Sequence, residues 1–188
     1  MKYFIVSDIH SFYAELKYSL WKAGFNKRNK DHTLIVCGDI FDRGPDTIGV
    51  YKFLSSIPKK RCILIKGNHE SLFMSLLTKS FPDHYDFSNG TVKAFCQIAN
   101  IDEERLNKYY WLDQINPLEI DWADIKNKLI NTWKEIKLAV VNHPITAWLK
   151  SAQWKNYFEL DNYIFVHSFI PLKIKEEYID QPFYKLDA

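Results

Sequence analysis

Over roughly the first 80 residues the chain repeats one arrangement three times: a short apolar run, a loop of charged and amide side chains, then a helical apolar pattern. Residues 2 to 6 lead into Ser7-Asp8-Ile9-His10-Ser11 and a helix expected from Phe12 to about Ala23, with Ser11 as its N-cap. Thr33 to Val36 leads into Cys37-Gly-Asp-Ile-Phe-Asp-Arg-Gly44 and a helix over Pro45 to Ile57, with Pro45 near its first position. Cys62 to Ile65 leads into Lys66-Gly-Asn-His-Glu70 and a helix from Ser71 to about Thr78. Successive units of this kind build a mostly parallel sheet. The loops at the carboxyl ends of its strands then lie side by side, bringing Asp8, His10, Asp39, Asp42, Asn68 and His69 together from distant parts of the chain.

The remainder is organised differently. Residues 81 to 92, with Pro82, Asp83, Asn89 and Gly90, read as a loop with His84 facing solvent, and Val92 to Ala99 as a helix. Pro117 opens a regular helix in which Leu118, Trp122, Ile125, Leu129, Trp133 and Ile136 form a core-facing stripe. Tyr157 to Leu160 and Tyr163 to Val166 flank Asp161-Asn162 as a hairpin, and its second strand delivers His167 at its end. The 188 residues carry no linker rich in Gly, Ser or Pro, so residues 1–188 are expected to form a single domain.

Charge and cysteine usage narrow the setting. With 25 basic and 23 acidic residues the net charge is +2, and Lys59-Lys60-Arg61 is too short for a nucleic-acid patch. No apolar segment reaches the roughly 20 residues of a membrane helix, and Asp8 interrupts the N-terminal run before it could serve as a signal core. Neither nucleic acid nor a membrane is therefore an expected partner. Cys37, Cys62 and Cys96 have no metal-type spacing and suit reduced thiols in a cytoplasmic protein.

Carboxylates, imidazoles and an amide oxygen without thiolate suit Mn, Fe or Zn as a divalent ion better than a structural zinc site. Asp39 could bridge two such ions. A bridged pair neutralises phosphate oxygens and lowers the pKa of a bound water towards hydroxide.

Asp8-Ile-His10, Gly38-Asp-Ile-Phe-Asp-Arg-Gly44 and Gly67-Asn-His-Glu70 resemble, in order and spacing, the signature motifs of the calcineurin-like metallophosphoesterases. The nearest branch is the phosphoprotein phosphatases with their phage and bacterial relatives, and Tyr163-Ile-Phe-Val-His167 resembles the later strand that ends in a metal-binding His. The resemblance implies an α/β fold, a layered αββα sandwich with mixed sheets. It implies that Asp8 and His10 ligate a first metal, that Asp39 bridges, and that Asn68 and His167 ligate a second, with Mn2+ the expected ion. It further implies that Arg43, with Asn68, binds the substrate phosphate and that His69, supported by Asp42, is the general acid. Direct attack by a metal-bound hydroxide on phosphomonoesters of Ser and Thr, in protein or small molecules, is the first activity implied. Hydrolysis of dinucleoside polyphosphates is the second, and a catalytically impaired module that binds phosphate or a partner is the alternative to both.

Some positions depart from the family pattern. Ser11 and Ser7 replace common glycines, Lys66 replaces an Arg, and Ser168-Phe169 follows His167 where relatives carry small residues. The family continues to a further Arg and a Gly-His-Thr segment, whereas no His or Arg follows His167 here. His143 precedes the hairpin and is read as a loop residue. The expectation is a truncated domain with an incomplete second sheet and a second metal site short of one ligand.

Overall fold

Strand β2 (His32–Cys37) is buried on both faces from Thr33 onward, which is the signature of an inner strand in a sheet covered on both sides. In the computed structural model, which describes residues 1–106 and 122–168, it lies between β1 (Lys2–Val6) and β3 (Cys62–Ile65). A short fourth strand, β4 (Trp154–Lys155), completes the order β1-β2-β3-β4, with every neighbouring pair parallel. The hairpin follows as β5 (Tyr157–Leu160) and β6 (Tyr163–Val166), an antiparallel pair in register Tyr157 to Val166. Sequence did not single out β4, because two residues are too few to show a period.

Side chains alternate across the parallel sheet. Phe4, Leu34, Val36 and Leu64 enter the large core shared with the helices, whereas Ile35, Cys37 and Ile65 pack on the other face with Phe158 and Phe165 of the hairpin. Helices, parallel sheet and antiparallel sheet are thus stacked as layers, as the α/β sandwich requires.

The helices depart from expectation mainly at their starts. Helix α1 (Tyr13–Lys22) has Phe12 at its N-cap position; Ser11 instead meets Thr47 hydroxyl to hydroxyl at 2.8 Å in the interior. Helix α2 (Thr47–Ser55) is capped by Asp46, which accepts from the Gly49 N–H at 2.7 Å, so Pro45 lies outside it. Helix α3 (Asn68–Leu76) begins earlier than Ser71, because Glu70 reaches back to accept from the Gly67 N–H at 2.7 Å.

Residues 81 to 92 are not all loop. Helix α4 (His84–Ser88) is closed by reciprocal bonds, Asp83 accepting from the Asp86 N–H at 3.2 Å and Asp86 from the Asp83 N–H at 2.7 Å. The polar residues that looked like loop are its caps. Gly90, in the left-handed region, turns the chain into α5 (Thr91–Ala99). Helix α6 (Trp122–Asn142) buries Trp133, Ile136 and Val140, with Trp133 stacked on Phe95 of α5 at 5.7 Å. Pro117 and Leu118 lie outside the described residues, as does the side chain of Trp122. His143 is the N-cap of α7 (Pro144–Ser151), its Nδ1 accepting from the Ile145 N–H at 3.1 Å. Among the described residues no helix is long and apolar enough to cross a membrane. All three cysteines are free, and burial pushes the Cys62 and Cys96 thiols up to about 12.

Candidate active site

The predicted loops do meet at the carboxyl ends of the strands. The first and second are laced by backbone bonds, His10 N–H to Asp39 O at 2.9 Å, Ser11 N–H to Ile40 O at 2.9 Å and Gly44 N–H to His10 O at 2.8 Å. Glu70 binds the third to the second: its Oε1 accepts from the Ile40 N–H at 2.8 Å, and its Oε2 from the N–H groups of Gly67 at 2.7 Å and Asp39 at 3.1 Å. Burial pushes the Glu70 carboxyl above its ordinary range, against the pull of these N–H donors. This carboxylate holds backbone rather than facing a ligand.

Packing is tight enough to dictate backbone type. Asp8, His10, Ser11, Asp39, Asp42 and Arg43 all take positive φ, between 45° and 76°. L residues avoid that region at a cost of about 1–3 kcal/mol each, so the lacing must hold them there. Gly38 also has positive φ, +76°, and a Cβ on it would lie 2.7 Å from the Gly67 Cα and 2.7 Å from the His167 Nδ1. Glycine is required there for both reasons.

Asp39 is the centre of the cluster. Its side chain is almost fully buried, with Oδ2 3.7 Å from His10 Nε2 and 3.9 Å from His69 Nε2, while Oδ1 accepts from the His69 N–H at 3.0 Å and lies 3.3 Å from His167 Nε2. One carboxylate thus faces two sets of donors. On one side His10 donates Nδ1–H to the Phe41 carbonyl at 3.1 Å, which leaves its Nε2 lone pair pointing into the site 4.0 Å from Asp8 Oδ1. On the other, His167 donates Nδ1–H to the Cys37 carbonyl at 2.9 Å, and its Nε2 faces Asn68 Oδ1 at 3.1 Å.

That second group is three acceptors around one space. His167 Nε2 lies close to both Asn68 Oδ1 and Asp39 Oδ1, and with Nδ1–H turned to Cys37 the neutral ring presents only a lone pair to these oxygens, an arrangement that a cation among them would satisfy. Asp8, Asp39 and His167 form one set of ligand atoms lying within 4.8 Å of one another, and His10, Asp39 and His69 form another. Asp8, whose side chain is 58% exposed, opens towards solvent and accepts from the Ser7 hydroxyl. Oxygen and imidazole donors in overlapping sets about one carboxylate fit a pair of divalent cations.

Beside this cluster stands a hydrogen-bonded pair. His69 Nδ1 lies 2.7 Å from Asp42 Oδ2, which also accepts from the Thr91 hydroxyl at 2.8 Å, and Asp42 Oδ1 has no partner among the described residues. Burial drives the Asp42 carboxyl up. Burial also pulls the His69 imidazole down, but the Asp42 bond and charge outweigh it and its net direction is upward. Burial lowers His10, which lacks such a carboxylate partner. The Arg43 guanidinium spans both imidazoles, donating to His10 Nε2 at 2.9 Å and His69 Nε2 at 3.0 Å.

Asp8, His10, Asp39, Asp42, Arg43, Asn68, His69 and His167 thus lie together at the strand ends. Sequence reasoning missed the contribution of α5: Thr91 holds Asp42, Gln97 donates to the Gly44 carbonyl at 2.8 Å and accepts from the Thr47 N–H at 2.9 Å, and Lys93 donates to the Arg43 carbonyl at 2.8 Å. The only local signal was the Gly90-Thr91 start of the helix.

Oxygen and imidazole acceptors gathered at strand ends, an imidazole bonded to a carboxylate and a guanidinium fork are the kinds of group that phosphoester chemistry uses. The chain belongs to the calcineurin-like phosphoesterases, whose family profile matches residues 1–184. It is 41% identical over 117 residues to a symmetrical bis(5'-nucleosyl)-tetraphosphatase of Buchnera aphidicola subsp. Schizaphis graminum, a match covering 56% of this chain and 42% of that protein. It is 34% identical over 76 residues to an asymmetrical bis(5'-nucleosyl)-tetraphosphatase of Bacillus velezensis, covering 37% of this chain and 30% of that one. A symmetrical bis(5'-nucleosyl)-tetraphosphatase of Wigglesworthia glossinidia brevipalpis is 32% identical over 79 residues, covering 42% and 28%. The chain spans less than half the length of these relatives. Their names agree with the second of the two substrate classes expected from sequence, rather than with the protein phosphatases.

Proposed function

We propose that this site hydrolyses the phosphoanhydride chain of dinucleoside polyphosphates with two divalent cations. The observation that carries the reading is Asp39, whose two oxygens face separate donor sets, one with His10 and the other with Asn68 and His167. Asp8, His10 and Asp39 would hold the first ion, and Asp39, Asn68 and His167 the second, with Mn2+ the expected metal and Fe or Zn the alternatives. When bound, such a pair supplies an activated water and neutralises phosphate oxygens.

The rest of the work falls to this chain's own side chains. Arg43, with its planar fork, turns from the imidazoles to grip two phosphate oxygens, and the Asn68 side chain lies beside the same space. Asp42 keeps the His69 Nδ1 proton in place, which fixes the ring so that Nε2 faces the reacting group and carries a proton to the leaving oxygen. A phosphate leaves more readily than an alkoxide. An anhydride therefore relies less on His69 than a phosphomonoester of Ser or Thr does.

The names of the similar proteins support the anhydride substrate over the phosphoprotein. The test compares kcat/KM for diadenosine tetraphosphate and for a phosphoserine peptide with Mn2+ present. The proposal expects the dinucleotide to be the better substrate by at least about tenfold, or 1.4 kcal/mol. Preference for the peptide would restore the phosphatase reading, and binding of phosphate without turnover on either would favour a non-catalytic module.

A further inference from the structure

We infer that the cleft between the first loop and α1 is a nucleobase subsite, with the Phe12 ring as its stacking surface. The inference rests on the dinucleotide reading above and specifies where one nucleoside of that substrate lies.

The cleft encloses about 480 Å³, a volume within the usual range of small-molecule sites. Ile9 and Leu16 form an apolar floor, and Asp8, Phe12, Glu15 and Ser19 stand around it. Phe12, Glu15, Leu16 and Ser19 recur at three- and four-residue steps from the start of α1, so one helix face lines the cleft. Asp8 borders both the cleft and the proposed metal-holding cluster, which places the two side by side. Phe12 also sits close to the phosphate side, since its backbone N lies within 2.9 Å of where a Cβ on Gly44 would be, and Gly44 follows Arg43.

Phe12 is 42% exposed and borders the cleft. A large ring left in water beside a phosphate-processing centre is a surface on which any base can stack, whatever its edge. Charge sets the orientation. Glu15, which belongs to no candidate ligand set, repels a phosphate, so the polyphosphate belongs towards Arg43 and the uncharged base towards Phe12. Glu15 can only accept hydrogen bonds while ionised, and it therefore suits bases with an amino edge such as adenine, guanine or cytosine. Ser19 adds a hydroxyl that donates or accepts. Uracil and thymine, whose Watson–Crick edge offers a single N3–H between two carbonyl oxygens that a carboxylate repels, are disfavoured.

Titration calorimetry with adenosine, uridine and inorganic phosphate, on wild type, Phe12→Ala, Phe12→Trp and Glu15→Gln, tests this without any turnover. Both sites of substitution are exposed, and the fold of each variant is checked by its thermal transition. We expect Phe12→Ala to weaken adenosine binding about tenfold, Phe12→Trp to retain it, and Glu15→Gln to shrink the preference of adenosine over uridine. Inorganic phosphate affinity should change far less than adenosine affinity in Phe12→Ala. Adenosine affinity within twofold of wild type in folded Phe12→Ala, or no measurable adenosine binding to wild type, overturns the subsite. If diadenosine tetraphosphate proves not to be hydrolysed while adenosine binding still depends on Phe12, the function proposed above fails and the subsite stands.

Discussion

At the scale of single residues, Asp42 is the side chain whose role separates most cleanly from cation binding. Asp42 lies behind the His69 ring, bonded to Nδ1 and to Thr91, and neither of its oxygens belongs to the candidate ligand sets. Asp42→Asn keeps the shape but returns an amide to the imidazole, so the ring loses the charge that supports a proton. We expect kcat on a phosphomonoester to fall about a hundredfold, with a smaller loss on a dinucleoside polyphosphate, and cation content to stay near the wild-type level. Equal losses on the two substrates would show that the pair is not protonating the leaving oxygen. Gly38 offers a residue-scale test of packing. Gly38→Ala combines positive φ with a Cβ 2.7 Å from the Gly67 Cα, and urea unfolding should show a loss of about 2 kcal/mol or more.

Among the elements, the three strand–loop–helix units were legible because charged residues interrupt apolar runs at equivalent positions. Asp8, Asp39 and Asn68 could be placed together from topology alone. Helix boundaries were harder to read. Asp83 and Asn89 look like loop residues in sequence but flank a helix, and Asn68 reads as loop until Glu70 is seen to close the turn. Thr91 and Gln97 were invisible because their partners lie 49 and 53 residues away, a relation that only packing reveals.

The end of α6 supplies an element-scale prediction. His143 caps α7 through a neutral Nδ1, and burial, helped by the nearby Lys52 charge, lowers its pKa from the ordinary 6.5. The unfolded chain therefore takes up this proton first on acidification. Stability contributed by the cap is complete above about 6.5 and is lost as the pH falls through the lower folded value. Asn at this position caps without titrating in that range. On going from pH 7.5 to pH 5, wild type should lose more Tm than His143→Asn; parallel losses would contradict the cap's role.

For the whole molecule, the layered architecture has one consequence for function. His167 reaches the cluster from the hairpin layer, whereas Asp8, His10, Asp39 and Asn68 come from the parallel sheet, so the site exists only when the two sheets are stacked. Ile35, Cys37 and Ile65 meeting Phe158 and Phe165 is what stacks them. Cation binding at His167 should in turn favour the stacked form, because a ligand that binds only the folded arrangement stabilises it by mass action. Thermal unfolding with and without Mn2+ should show a higher Tm with the ion, and His167→Ala should diminish the gain.

The central claim is that Asp39 joins two cation sites, and equilibrium dialysis against Mn2+ on wild type and Asp39→Asn tests it most directly. The account predicts two ions per chain at saturation for wild type and a large loss of affinity at both positions in the variant, because both sites lose the one negative charge they share and a single amide oxygen remains to serve them. Wild-type stoichiometry and affinity retained in Asp39→Asn would contradict it.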